Sequence, residues 1–194
     1  ESGNIPKSFY DAQIYELNFK EGSGKKYLDL YDLMAASQTG LLRVFESLRL
    51  KQSWGHNYKG TVNDQIAKSI SGACAELAVC RYLDTAFNFH VNHGSNPDII
   101  FHDIHLQVRS QLPKQHNSLI IRPKGSKQNE IYILVIDKTP IFEIHGFVNS
   151  THVLGTDRFL TDFGIADRPK VHSLGIDKLT PIKFLKDGAW NWVK

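Results

Sequence analysis

Between Ile66 and Cys80 the apolar residues Ile66, Ile70, Ala73, Leu77 and Cys80 recur at helical spacing, and after Leu83 the period drops to that of strands. This change of period restricts the chain more than any other feature. It predicts a core helix, capped by Asn63 or Asp64 and ending near Leu83, followed by a run of short strands. Five strands are predicted: Asp98 to Phe101, Ile104 to Gln111, Ser118 to Arg122, Glu130 to Asp137 and Ile141 to Val148. The first two are joined by a tight turn at His102-Asp103, which makes a hairpin. A mixed or antiparallel sheet carried beside helices is an α/β arrangement.

Around this centre the reading is coarser. Leu41, Val44, Phe45 and Leu48 predict an earlier helix from about Gly40 to Lys51, with a polar opposite face. Residues 1–30 read as an N-terminal arm, in which Tyr10 to Phe19 could form an edge strand. Residues 149–194 carry Gly155, Gly164, Pro169, Gly175 and Pro181 at irregular spacing, and read as a loop-rich part with a short helix or strand near Ile176 to Phe184. A length of 194 residues with 41% hydrophobic and 22% charged residues fits one domain, 1–194, with a core large enough to need no staples. No run of about 18 apolar residues occurs, and the first thirty residues lack the order of a signal peptide. Membrane insertion and classical secretion are therefore not expected, and a cytoplasmic setting is the default. Cys74 and Cys80, six apart in the core helix, point away from each other and read as small core hydrophobes.

The net charge of +3 permits an anionic partner without requiring one. Its distribution says more. Residues 104–129 hold Arg109, Lys114, Arg122, Lys124 and Lys127, with His105 and His116, and no Asp or Glu. Such a stretch is either a solvated basic face or a phosphate-binding edge.

Glu76 lies beside the apolar stripe of the core helix, flanked by Ser69, Gly72, Ala73 and Cys80, small residues that let the helix backbone approach a sheet closely. It is either a boundary glutamate reaching solvent or a functional carboxylate. On the hairpin, Gln107 and Arg109 share one strand face while Val108 points to the other, and Asp98 lies across from them.

Taken together, the helix bearing Glu76, the hairpin Asn96-Pro97-Asp98-Ile99-Ile100 and the strand Leu106-Gln107-Val108-Arg109-Ser110 resemble the PD-(D/E)XK nuclease superfamily over roughly residues 60–150. The strands Ile131 to Asp137 and Ile141 to Val148, with His145-Gly146-Phe147, are similar to a phage and bacterial subgroup of it with a variant Gln-Val-Arg run. The resemblance implies a restriction-endonuclease-like α/β fold, a central mixed sheet flanked by helices. It also implies a nuclease hydrolysing phosphodiester bonds, in DNA or else in RNA, with a homodimer as an allowed state. Glu76 and Asp98 match the family's acids, whereas Gln107 stands at its second acidic position and Arg109 at its lysine.

Magnesium or manganese would then be held by Asp98, the side-chain oxygen of Gln107 and the carbonyl of Val108, with Glu76 acting through a water. Gln107 keeps an oxygen but removes one charge, which weakens metal affinity. Arg109 stays protonated and cannot be a general base, so its role is to clamp charge on a phosphate. His105 is the candidate for a second base, and Asp103 for a turn residue rather than a ligand. Lys114, Arg122, Lys124 and Lys127 are the candidate phosphate contacts. Trp54, His56 and Tyr58 either stack on a base or cap the core, and Trp190 and Trp192 pack the last segment or meet another subunit. The rival to catalysis is a weakened or inactive nuclease fold that still binds nucleic acid.

Overall fold

Both long helices begin at well-formed caps. In a computed structural model, which describes residues 22–51, 60–91, 97–113, 117–123, 126–127, 129–166 and 168–188, helix α1 spans Leu30–Arg49 and starts where the Asp29 side chain accepts from the Asp32 N–H at 2.8 Å. Helix α2 spans Val62–Leu83. Its cap is Thr61, one turn ahead of Asp64, and the two side chains satisfy each other's backbone N–H groups in a capping box. Helix α1 is ten residues longer at its start than its apolar spacing suggests. The reason is that Leu30, Tyr31 and Met34 face outward, which blurs the amphipathic signal of the first turns. Gly40, which reads as a helix start, is instead the point where α1 meets α2. A Cβ there would run into Ile70 Cα and the Ser69 carbonyl, and the Ser69 hydroxyl donates to the Gly40 carbonyl at 2.8 Å. The small-residue segment thus approaches a helix closely at Ser69 and Ile70, while Gly72 faces open space.

Five strands form one mixed sheet in the order β1-β6-β5-β3-β2, made of β1 Gly24–Tyr27, β2 Ile99–Phe101, β3 Ile104–Gln111, β5 Ile131–Lys138 and β6 Ile141–Asn149. β3 and β5 run parallel, and the other neighbours are antiparallel. The β2–β3 turn places His102 and Asp103 at φ +46° and +64°, the left-handed pair that a two-residue hairpin requires. β4, Ser118–Ile121, leaves this sheet during the crossover and joins β8, Val171–Gly175, and β7, Leu160–Thr161, in a second, antiparallel sheet.

The strand period of two explains the layers. Ile131, Ile133 and Val135 of β5 share one face with Leu106, Val108, Phe142, Ile144 and Phe147, and pack under Ala73, Leu77 and Cys80 of α2. Tyr132, Leu134 and Ile136 face the other way, against Leu119, Ile121, Leu174 and Leu179. The protein is therefore a mixed α/β structure. Where the resemblance suggests helices flanking the sheet, α2 covers one face with α1 packed against α2, and the three-stranded sheet covers the other.

The C-terminal part is more ordered than its glycines and prolines suggest. It contains α3 Thr151–Leu154, β7, β8, a 3-10 turn at Ile176–Lys178 and α4 Lys183–Lys186. It is stitched to β6 by reciprocal Phe147–Thr180 backbone bonds of 2.8 and 2.9 Å. Gly146, at φ +157°, permits this, since a Cβ there would strike the Thr180 carbonyl. Cys74 and Cys80 are buried and unbridged. No described helix is long and apolar enough to cross a membrane.

Candidate functional site

Asp98 ends the loop into β2, and its Oδ2 accepts from the Val108 N–H at 2.7 Å, tying the two arms of the hairpin together. Leu106 and Val108 are buried under α2, so the alternation of β3 turns Gln107 and Arg109 to the opposite face. There the Arg109 guanidinium gathers three oxygens. Its Nη1 donates to the Val108 carbonyl at 3.1 Å and lies 3.7 Å from Asp98 Oδ2, and its Nη2 donates to Gln107 Oε1 at 3.5 Å. The same guanidinium sits over the Tyr132 ring, 5.1 Å from its centre, a cation–π contact that fixes its plane.

Glu76 is buried, and not the solvent-facing boundary residue that its helix pattern allows. Both its oxygens accept from Nη1 of Arg43 at 2.9 Å. Arg43 also reaches the His90 and Asn88 carbonyls, at 3.3 and 3.4 Å, and so ties the chain beyond α2 to α1. Burial pushes the Glu76 carboxyl up to about 7; the negative charge of Asp98 adds to this, and Arg43 and Arg109 oppose it. Asp98 is raised chiefly by burial, against the pull of Arg109, the Val108 N–H and Arg43, while Glu130 adds to the rise. Glu76, Asp98, Arg43 and Arg109 therefore belong to one electrostatic cluster, although the direct bonds of Glu76 go to Arg43.

Glu130 belongs to this site and is not among the residues singled out from the sequence. It is 3% exposed. Its Oε1 accepts from Gln107 Nε2 at 3.4 Å, and its Oε2 from the Tyr132 hydroxyl at 3.2 Å and the Lys127 N–H at 3.3 Å. Its position is set by the parallel register Leu106↔Ile131, which lays the start of β5 beside Gln107. Nothing local in the chain announces that register. Arg43 is hidden in the same way, among the polar residues of α1.

Of the candidate basic residues, Lys127 is exposed and adjoins Glu130, and Arg122 is exposed just beyond β4. Lys114 and Lys124 lie outside the described residues, as do Asn96, His116, Gly125, the Tyr10 to Phe19 segment, Trp54, His56, Tyr58, Trp190 and Trp192. His105 is exposed, and Asp103 occupies the hairpin turn.

Asp98, Gln107 Oε1 and the Val108 carbonyl are hard oxygen donors within reach of one guanidinium, a donor set that suits a small divalent cation of the magnesium type. Among the described residues no three His, Cys, Asp or Glu side chains come together as a ready-made metal cage. The fit thus relies on one carboxylate, one amide and one main-chain carbonyl. No protein-family model, curated protein or solved structure matches the chain.

Proposed function

We propose that the protein is a metal-dependent phosphodiesterase acting on nucleic acid, with DNA as the favoured substrate, and that its site is a variant of the PD-(D/E)XK arrangement on a restriction-endonuclease-like sheet. The observation that carries this reading is the convergence of Asp98 Oδ2, Gln107 Oε1 and the Val108 carbonyl on the Arg109 guanidinium, at 3.1 to 3.7 Å from its nitrogens.

In this reading magnesium or manganese, when bound, supplies charge neutralisation and an acidified water. Asp98 and Gln107 would hold that group, and the Val108 carbonyl would complete the oxygen set. Arg109, released from the oxygens it now bridges, turns its planar donors to a non-bridging phosphate oxygen and stabilises the charge that grows there. It takes no proton at any physiological pH. Glu76, held by Arg43, would orient a water at the edge of the site. Lys127 and Arg122, both exposed, would contact the phosphate backbone, which gives affinity that falls with salt.

The test is cleavage of single- and double-stranded DNA and RNA with magnesium or manganese by the wild type, Asp98→Asn and Gln107→Ala. Metal-dependent cleavage lost in Asp98→Asn supports the reading; intact substrates with every metal reject it.

A second reading is favoured by one specific contact set. The Arg109 guanidinium already bridges the oxygens that a cation would bridge, so the site is internally neutralised and can hold a phosphate without hydrolysing it. Salt-sensitive DNA binding that persists in Asp98→Asn, with no heat on manganese titration, selects this non-catalytic form.

A further inference from the structure

The side-chain amide of Gln107 has two ends of equal size and opposite character, and its neighbours decide which end faces the site. On one side stands the Glu130 carboxylate, 3.4 Å from Nε2; on the other stands Arg109, whose Nη2 donates to Oε1 at 3.5 Å. A flipped amide would set its oxygen against a carboxylate and its NH2 against a guanidinium, and both contacts are repulsive. Glu130 is a firm anchor. Its second oxygen is held by Tyr132 and Lys127, its N–H donates to Ser150 Oγ at 3.1 Å, and its carbonyl accepts from the Ser150 N–H at 2.8 Å. Tyr132 also lies beneath Arg109, so one side chain supports both Glu130 and Arg109, the two residues that flank Gln107 in the chain Glu130–Gln107–Arg109–Asp98.

We infer that Glu130 is a positioning residue that locks the Gln107 amide with its oxygen toward Arg109. The inference deepens the proposed function, on which it rests only in taking Gln107 as an oxygen donor. It also supplies a reason for an amide at position 107. A glutamate there would place a second carboxylate roughly where Nε2 now meets Glu130, and two such groups repel at close range.

The test is an exchange of the two side-chain types. Gln107→Glu lowers the melting temperature at pH 8 by about 5 °C, and Gln107→Glu combined with Glu130→Gln restores it to within about 2 °C of the wild type. In protein labelled with side-chain ¹⁵N-glutamine, the Gln107 amide signal, assigned by its loss in Gln107→Glu, moves to a free-amide position in Glu130→Ala.

An unchanged melting temperature in Gln107→Glu, no recovery in the exchange variant, or an amide signal indifferent to Glu130→Ala overturns the inference. These readouts need neither metal nor substrate. If they hold while the wild type cleaves nothing and binds no manganese, the positioning role stands and the nuclease reading falls. If cleavage is seen but the amide ignores Glu130, only the positioning role falls.

Discussion

Replacing Arg43 by Met removes the guanidinium that meets Glu76 while keeping most of the apolar stem. The Glu76 side chain is 8% exposed and that of Arg43 is 24% exposed, so solvent screens the pair only weakly. Folding raises the Glu76 carboxyl from its ordinary 4.5 to about 7. An acid made weaker by folding stabilises fully below its unfolded value and loses that contribution as pH rises to its folded value. In the wild type this loss is complete near pH 7, and the stability curve then levels. Without Arg43 the folded value moves higher and the decline continues, at about 1.4 kcal/mol per pH unit. The variant also loses the bonds to the His90 and Asn88 carbonyls, a pH-independent cost of about 1 kcal/mol. The expected deficit is therefore about 1 kcal/mol at pH 5 and about 3 kcal/mol at pH 8.5, in line with the cost of breaking a buried pair. Urea unfolding followed by circular dichroism at pH 5, 7 and 8.5 measures it. Adding Glu76→Gln should remove the pH-dependent part. A deficit that does not change with pH, or that keeps its pH dependence in the double variant, refutes the argument.

Asp98→Asn should leave the fold intact, because its amide oxygen can still accept from Val108 N–H, yet lower metal-dependent cleavage about 100-fold or more in a gel assay. Lys127→Gln should weaken duplex DNA binding and reduce the slope of log affinity against log salt by about 0.9, read by anisotropy at several salt concentrations. Burial pushes the Cys74 thiol up to about 11 and the Cys80 thiol up to about 12, so at pH 8 neither should react with a thiol reagent on the minute scale in the native protein, whereas both react after unfolding. Gly40→Val should destabilise the protein by about 2 to 4 kcal/mol in chemical denaturation, because the α1–α2 crossing leaves no room for a side chain against Ile70 Cα.

The elements closest to their sequence expectations are those whose apolar pattern and punctuation agree. β3 spans Ile104–Gln111 as its alternation indicates, and His102-Asp103 makes the predicted turn. The core helix ends at Leu83 as its stripe indicates, with Asp84 in the left-handed conformation beyond it. The pattern misleads where packing is unusual. Helix α1 begins early because its first turns expose apolar side chains, and Gly40 marks a crossing rather than a boundary. β1 escapes a reading built on residues 1–30 as an arm because only its pairing with β6 makes Gly24–Tyr27 a strand.

Local chemistry determines the helix, the hairpin and the shared face of Gln107 and Arg109, since these depend on periods of 3.6 and 2 and on a turn two residues long. Tertiary structure alone decides what meets that face. The parallel register of β3 with β5 brings Glu130 to Gln107, and the crossing of α1 with α2 brings Arg43 to Glu76, across 23 and 33 positions of chain. Partners so distant leave no periodic trace in the sequence, because burial and pairing are properties of the assembled layers.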